Sequence, residues 1–311
     1  LNAKAVMAGP LSIQQVDAII DKVQRSSYQR FTELINNDEL HYLCETTINV
    51  LREQSTLVEM PAPVVICGDL QGQFTDLMRI FDTLGAPPKK NYLFLGNYVN
   101  RGKQGMEIAV LLFCYKIKYA DNFVLLRGSS ECSKTNRSGG FLDEITRRYG
   151  QENAQLLWDH FNQTFSWLPY VGLVGKKILC VHSGLSPTMY DLQQLGSLRR
   201  PALDPTNPSL ELDILFADPE PGTNGFRANK RGQSVMFGEN VVTNISKQFS
   251  VNVIVRGHQV VREGVDYFAD RRLVTVFSVP HLSTSQNAAF PGAVLIIGED
   301  LHQSTKVFQP R

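Results

Sequence analysis

Three side chains of types that bind metals stand just after short apolar runs of the sequence. Asp69, His182 and His258 each occupy such a position. Carboxylate oxygens and neutral imidazole nitrogens bind divalent ions, and ions held in this way activate water for attack on phosphorus. A single histidine there is more often a hydrogen-bonded structural residue. Three such side chains at matching positions instead indicate metal-dependent phosphoester chemistry.

The apolar runs predict the strands that position these ligands. Each run ends in a glycine turn that carries polar side chains, and Phe74–Leu84 and 105–119, which lie between the first three runs, have helical character. This alternation indicates β-α-β units, in which ligands bind beyond the carboxyl ends of the strands. We expect the turns to converge on one site. The predicted strands are Val64–Cys67, 92–95, 123–126, Ile178–Val181 and 251–255.

Composition limits the class of protein. The chain has 311 residues with 31 Lys plus Arg and 30 Asp plus Glu, so the net charge of +1 argues against a nucleic-acid partner. The longest apolar run, 108–115, is too short to span a bilayer, and no signal-peptide pattern is found. The five widely spaced cysteines indicate buried free thiols. We expect an intracellular protein, cytoplasmic or nuclear, that does not bind a membrane.

The domain organisation is predicted from the change of pattern near residue 60. Helical periodicity follows Ser12, a candidate cap, and recurs over 38–51, so residues 1–60 are predicted to be the helical N-terminal part of a single domain. Residues 61–311 form the strand-rich remainder, within which 200–232 has the proline, glycine and charge content of a surface loop.

Several ordered segments resemble the motifs of the phosphoprotein phosphatases, in their type-1 serine/threonine branch. The resemblance implies an α/β fold of the calcineurin-like metallophosphoesterase kind, with two mixed β-sheets packed as a sandwich and flanked by helices. It covers nearly the whole chain. The segments are 67–73, 92–104, 125–132, 181–187, 230–232, 256–261 and 272–280.

Five positions depart from the motifs of that family. Gln71 stands where the family has a histidine ligand, and Asn97 and Asn100 replace two aspartates. Ser129 replaces an asparagine ligand, and Ser130 replaces the catalytic histidine. Removal of an acid/base histidine alone costs roughly 10²- to 10⁴-fold in rate. The resemblance therefore predicts no catalytic residues at these positions.

The metal site is expected to be weakened by the same changes. Two divalent ions about 3.5 Å apart repel by about 20 kcal/mol at an effective dielectric constant of 20, and neutral Asn97 does not offset this as a bridging carboxylate does. We expect no cofactor, or at most one weakly bound divalent metal, with Asp69, Asn97, His182 and His258 as residual ligands. The alternative is that these side chains are only hydrogen-bonded.

The predicted function follows from these losses. The chain is interpreted as a pseudophosphatase and not an enzyme, acting as a binding scaffold or a competitor for phosphatase regulatory subunits. The alternative is a weak or altered mononuclear metal-dependent protein serine/threonine phosphatase. Arg101, Arg127 and Arg231 are candidates for binding phosphate or a phosphopeptide, since guanidinium groups match phosphate oxygens. Equally, these arginines are candidates for pairing with Glu131 or with backbone carbonyls.

A second predicted surface is a groove for regulatory proteins. The resemblance implies that short hydrophobic docking motifs of such partners add a strand beside it. The alternative is that Ile178, Val253 and Val274 only pack the sheet. The predicted lining is Ile178, Val253, Tyr267, Arg271, Val274 and Leu301.

Overall fold

The computed structural model describes residues 9–283 and 288–311. Residues 1–8 of the predicted N-terminal part, and 284–287, lie outside the described residues. The helices are α1 Ile13–Arg25, α2 Phe31–Leu34, α3 Asn37–Arg52, α4 Phe74–Leu84, α5 Gly105–Lys118, α6 Ser133–Ser138, α7 Phe141–Tyr149, α8 Gln151–Ser166, α9 Leu192–Gly196, α10 Leu210–Phe216 and α11 Glu239–Gln248. The strands are β1 Leu57–Met60, β2 Val64–Cys67, β3 Tyr92–Phe94, β4 Phe123–Leu125, β5 Val171–Val174, β6 Ile178–Val181, β7 Asp218–Pro219, β8 Phe226–Ala228, β9 Val235–Phe237, β10 Val253–Arg256, β11 Val265–Phe268, β12 Leu273–Val276, β13 His281–Ser283, β14 Ala288–Phe290, β15 Gly292–Ile297 and β16 Gln303–Phe308.

Two mixed sheets form the centre of the molecule. One has the strand order β16-β15-β2-β3-β4, in which β2, β3 and β4 are parallel. The other has the order β1-β5-β6-β10-β12-β11, in which β6, β10 and β12 are parallel. In the first sheet, α4 connects β2 to β3 and α5 connects β3 to β4, as the alternating pattern predicts. The predicted fold class is thereby confirmed.

The two sheets pack face to face over a layer of aliphatic side chains. Ile66 and Leu93 from the first sheet meet Ile178 and Val274 from the second, and all four are almost completely buried. Helices α1, α3, α4, α5 and α8 cover the outer face of the first sheet, while α9, α10 and α11 cover the second. This double-sided burial explains why the strands are continuously apolar instead of alternating. Among the described helices, none is both long and apolar enough to cross a membrane.

The N-terminal helices pack on the same core as the first sheet. Ser12 caps α1, because its side-chain oxygen accepts the backbone N–H of Gln15 and its own backbone N–H donates to the Gln15 side-chain oxygen, so the predicted cap is confirmed. The apolar face of α1 is buried with that of α5. Four elements differ from the sequence prediction: β1 lies within the part expected to be helical, and α10, β7 and β8 lie within the expected surface loop. Four residues of β1 and seven of α10 are too few for periodicity to reveal.

Lys116 is a wholly buried lysine near the end of α5. Its ammonium group donates hydrogen bonds to the carbonyls of Ala120 (2.6 Å) and Phe123 (2.9 Å). Burial lowers the pKa of Lys116 to about 7, since a desolvated charge is costly. The unfolded chain holds this proton up to about pH 10.4. Between about pH 10 and pH 7 the unfolded chain therefore holds a proton that folded Lys116 does not. The burial of Lys116 lowers the free energy of unfolding progressively more as the pH falls through this range.

We predict that Lys116→Met is stabilised relative to wild type at pH 7.5 and that this advantage shrinks as the pH rises. Methionine keeps the length of the side chain without the titrating group. The difference in unfolding free energy between variant and wild type is expected to fall by about 1 kcal/mol per pH unit. Urea unfolding of both proteins at pH 7.5 and pH 9.0 measures it. A difference that is the same at both pH values contradicts the prediction.

Candidate active site

Five turns that follow parallel or neighbouring strands meet at one edge of the sandwich. The turns after β2, β3, β4, β6 and β10 bring Asp69, Asn97, Ser129, His182 and His258 together. The Asn97 amide donates to the Asp69 carboxylate at 2.7 Å, and the two histidines approach within 3.2 Å, Nε2 of His182 to Nδ1 of His258. The expected convergence of these turns is therefore found. Each turn follows the carboxyl end of its strand, which is where ligands bind in sheets of this kind.

Four potential donor atoms lie close together in this site. The Ser129 hydroxyl lies 3.1 Å from Oδ1 of Asn97 and 3.3 Å from each histidine nitrogen, and the two histidine nitrogens are 3.2 Å apart. Ligands at about 2.0 Å from one divalent ion in a tetrahedral site are about 3.3 Å from one another, so these four distances are of the length expected between ligands of a shared ion. Oδ1 of Asn97 also accepts the backbone N–H of Ser130 at 2.7 Å. We call Asn97, Ser129, His182 and His258 the donor set.

The histidines of the donor set are held ready to bind a metal. His182 uses Nδ1 in a 2.8 Å hydrogen bond with the Leu95 carbonyl, which fixes the ring and leaves Nε2 facing the site. Burial lowers the pKa of His182 to about 4, and burial together with the neighbouring His182 lowers that of His258 well below its usual value. Both rings are therefore neutral near pH 7. Neutral imidazole is the form that binds metals.

The donor set contains two histidines and no acidic side chain. Over residues 9–283 and 288–311, no group of three or more His, Cys, Asp or Glu side chains is placed to hold a metal ion. Two of the four donors here are an amide and a hydroxyl. Both carry oxygen atoms that ligate hard cations, although more weakly than a carboxylate.

Asp69 lies beside the donor set and is completely buried. One carboxylate oxygen accepts the backbone N–H of His258 at 2.8 Å, and the other accepts the amides of Asn97 (2.7 Å) and Gln71 (3.2 Å). The amides thus satisfy the carboxylate with hydrogen bonds. Gln71 and Asn97 therefore direct amide N–H groups, and not oxygens, toward this carboxylate.

The turns of the site are held in strained backbone conformations. Asn97, Asn100, Arg101 and His258 have φ of 59°, 73°, 60° and 72°, in the left-handed region that non-glycine residues rarely occupy. Such conformations cluster where a surrounding structure fixes functional side chains. The amide of Asn100 also packs against Gly139, where an added Cβ would lie 2.6 Å from it. Glycine is therefore required at position 139.

Glu131 is a positioning residue that the sequence analysis considered only as a possible partner of the arginines. Its buried carboxylate accepts the backbone N–H groups of Asn97 (2.8 Å), Tyr98 (2.8 Å) and Gly128 (2.9 Å). These bonds tie the turn after β3 to the turn after β4. Burial raises the pKa of Glu131 to about 7, and the three backbone hydrogen bonds oppose that shift. The glutamate at the second-to-last position of the segment 125–132 was the available sequence signal.

A cavity of about 610 Å³ opens above the donor set. Arg101 and Arg231 line it, as do Gln71, Asn100 and Ser130. The cavity therefore contains every departure position of the sequence analysis together with two of the three candidate phosphate-binding arginines.

Arg127 does not reach this cavity, and the expectation that it binds phosphate is corrected here. Its guanidinium is wholly buried and donates to the carbonyls of Ala202, Leu203 (2.6 Å) and Glu131 (3.2 Å). It also donates to the Tyr170 hydroxyl at 3.2 Å. This is the alternative of pairing with backbone carbonyls. Its acceptors at 202 and 203 are about 75 residues away in the chain, so no local pattern indicates them.

The predicted partner groove is only partly accessible. Ile178 and Val274 are 1% and 0% exposed, and they pack between the two sheets. Val253, Tyr267 and Leu301 are half-buried at the margin of the same layer. The exposed Arg271 places its guanidinium 3.7 Å above the Tyr267 ring. Ile178 and Val274 are thus core residues, and the surface that remains is formed by the other four.

The comparisons with known proteins agree with this fold and site. Residues 62–262, which include all five site turns, match the family of calcineurin-like phosphoesterases. A serine/threonine-protein phosphatase, PP1-delta of Caenorhabditis elegans, is 46% identical over 252 residues, which are 81% of this chain and 81% of that protein. The chain belongs to the phosphoprotein phosphatase family, and within it resembles the type-1 enzymes.

Solved structures extend the comparison. A serine/threonine phosphatase from Saccharomyces cerevisiae, described as similar to human phosphatase PP5, superposes with a TM-score of 0.80 at 28% identity, over 89% of this chain and 91% of that one. A cold-active protein-tyrosine phosphatase of Shewanella superposes with a TM-score of 0.54 at 15% identity, over 84% of each chain, which shows the shared fold alone.

Two sequence predictions are wrong in the light of these findings. The interpretation of the chain as a pseudophosphatase and not an enzyme is overturned by the 46% identity to a serine/threonine phosphatase and by the phosphatase structure that covers the chain. The expectation of no cofactor, or at most one weak metal, is overturned because the family is one of metallophosphoesterases, which use divalent metals. Residue types alone did not show how closely the Ser129 hydroxyl approaches Asn97 and the two histidines.

Proposed function

We propose that the chain is a metal-dependent phosphatase that hydrolyses phosphoserine and phosphothreonine side chains of proteins. The observation that carries the proposal is the donor set, in which the Ser129 hydroxyl lies 3.1 to 3.3 Å from the other three donor atoms and the two histidine nitrogens are 3.2 Å apart. The similarity to serine/threonine phosphatases supports the substrate class.

The donor set is the proposed metal position, and beside it the Asp69 carboxylate accepts hydrogen bonds from the amides of Asn97 and Gln71. A divalent metal bound there provides positive charge that polarises the phosphoryl group and lowers the pKa of water. The protein itself orients the donors. The Leu95 carbonyl holds His182, and the Glu131 carboxylate holds the backbone that carries Asn97.

Arg101 and Arg231 are proposed to hold the phosphoryl oxygens. Arg101 is exposed to the cavity, and its guanidinium makes no hydrogen bond or ion pair with the described residues. Arg231 bonds through Nε to the Asp218 carboxylate at 2.7 Å, which fixes the side chain while its terminal nitrogens stay free to donate. Charge that develops on the phosphoryl oxygens is then met by preorganised donors.

We predict that phosphate release from an aryl phosphate and from a phosphoserine peptide requires divalent metal. Wild-type protein assayed with manganese is expected to turn over both substrates, to lose activity on treatment with a chelator, and to recover it when manganese is restored. The chelated sample is its own control, because the protein is unchanged. Release of no phosphate under any metal condition, or release at an equal rate after chelation, contradicts the proposal.

Regulatory proteins are proposed to dock at the margin of the six-stranded sheet. β11 is the last strand in the order of that sheet, and an edge strand is open to the addition of a further strand. Tyr267 on β11 lies with Val253 and Leu301 in a half-buried apolar row. This row suits the side chains of a short hydrophobic docking motif, while Arg271 covers the tyrosine ring in the free protein.

Tyr267→Ala is predicted to weaken capture of such a peptide by about tenfold, since the loss of a central aromatic anchor removes much of the binding energy. Tyr190→Ala is the matched control, because Tyr190 is 59% exposed elsewhere on the surface. Titration of labelled peptides that carry two apolar anchors measures the affinity. Equal affinities for the two variants contradict the proposed docking site.

A further inference from the structure

The cavity above the donor set carries cations and no acidic side chain. Arg101, Lys134 and Arg231 are its charged residues, and Phe216 is its one apolar side chain among those described. The remaining lining is amide, hydroxyl, imidazole or glycine. An occupant therefore gains its affinity from charge and hydrogen bonds instead of apolar contact. The full lining is Gln71, Asn97, Asn100, Arg101, Ser129, Ser130, Lys134, Thr135, Ser138, Gly139, Phe216, Arg231, Gln233 and His258.

Lys134 belongs to a wall that the short helix α6 contributes. Thr135, Ser138 and Gly139 form the rest of this wall, so it is polar and made of small residues. The nearest carboxylate, that of Asp204, accepts hydrogen bonds from the Ser133 hydroxyl (2.5 Å) and the Lys134 backbone (3.2 Å). The ammonium of Lys134 itself forms no ion pair with the described residues, and the side chain is exposed.

The carboxylates near the cavity do not neutralise its cations. Asp218 pairs with Arg231 but also with Arg256, at 3.0 Å, so one negative charge serves two positive ones. Asp69 is buried below the surface and is engaged by amide and backbone donors. No carboxylate among the described residues forms an ion pair with Arg101 or Lys134. Charges this close to a concave surface attract anions over roughly a Debye length, about 8 Å at physiological salt.

We infer that the cavity selects phosphopeptides in which an acidic side chain flanks the phosphorylated residue, with Lys134 receiving that acidic group. The cavity volume of about 610 Å³ exceeds that of one phosphorylated side chain, which leaves room for a neighbouring residue beside the α6 wall. The inference deepens the proposed function and rests on it, because the phosphoryl group is taken to enter beside Arg101 and Arg231.

Paired phosphoserine peptides that differ only in glutamate or alanine at the two positions next to the phosphoserine test this inference. Their dissociation constants are measured by fluorescence anisotropy, and their kcat/KM values with manganese, each as a glutamate-to-alanine ratio within one protein. Wild type is expected to favour the glutamate peptide by about tenfold in low salt, with the preference shrinking as salt is added. Lys134→Met is expected to bring the ratio close to one.

Lys247→Met is the control, because Lys247 is an exposed lysine on α11 outside the cavity. It is expected to keep the wild-type ratio. An equal affinity of wild type for both peptides, or a preference that survives in Lys134→Met, overturns the inference. Hydrolysis of an aryl phosphate in parallel separates the two failures. If that hydrolysis occurs without peptide preference, only the inference fails, and if it is absent while the binding preference is present, only the proposed function fails.

Discussion

His182→Ala is expected to lower kcat/KM by at least about 10³-fold and to abolish binding of a divalent metal at the donor set. The Nε2 atom of His182 lies within 3.3 Å of both the Ser129 hydroxyl and His258, so its loss removes one of the two nitrogen donors of the set. The remaining oxygen donors of Asn97 and Ser129 are neutral and bind metal weakly alone. Cobalt absorption reports metal binding, and phosphate release reports turnover.

His160→Ala is the matched control for this prediction. His160 lies on α8 against His41, with 4.4 Å between the ring centroids, and it does not touch the cavity. Circular dichroism of both variants establishes that they are folded. Retention of cobalt absorption and turnover by a folded His182→Ala protein contradicts the assignment of the donor set.

Asn97→Asp is expected to raise turnover by about 10²-fold and to make stability depend on metal. In wild type the Asn97 amide donates to the Asp69 carboxylate at 2.7 Å, an arrangement that is satisfied without any ion. An aspartate there sets two carboxylates against each other, so the metal-free variant is expected to be about 2 kcal/mol less stable. A bound divalent ion removes the repulsion, and the added carboxylate strengthens its binding.

Urea unfolding with and without manganese measures this coupling. The Asn97→Asp protein is expected to regain stability on addition of metal, while Asn252→Asp, which changes an exposed asparagine before β10, is expected to respond as wild type does. Equal responses of the two variants to manganese contradict a metal position bounded by Asn97. The comparison does not depend on turnover, so it tests the metal position separately from the reaction.

Local pattern predicted much of the framework. The apolar runs that end in glycine turns predicted five strands, and the rule that ligands gather at carboxyl strand ends predicted that Asp69, His182 and His258 meet. Each of these signals lies within a few residues of the chain. The cap at Ser12 is of the same kind, because its partner Gln15 is three positions away.

Features that depend on distant parts of the chain were not predictable in this way. Arg127 was expected in the phosphate pocket because only its neighbours were visible, whereas its acceptors are Ala202 and Leu203. The donor set is a further case. Judged by residue type, Asn97 and Ser129 indicated lost ligands, but only their three-dimensional spacing shows that the Ser129 hydroxyl lies within 3.3 Å of Asn97 and of both histidines. The same limitation led to the incorrect prediction of an inactive protein.

The proposal that metal at the donor set supports phosphate release is tested by a titration of metal-free wild-type protein with cobalt. Metal occupancy of the donor set and turnover are followed together. Absorption reports the ion at the donor set, and release of phosphate from a phosphoserine peptide reports the reaction. Cobalt absorption and the rate of phosphate release are expected to rise in parallel and to saturate together. Saturation of the site without any release of phosphate, or release of phosphate before any metal binds, would contradict the proposal.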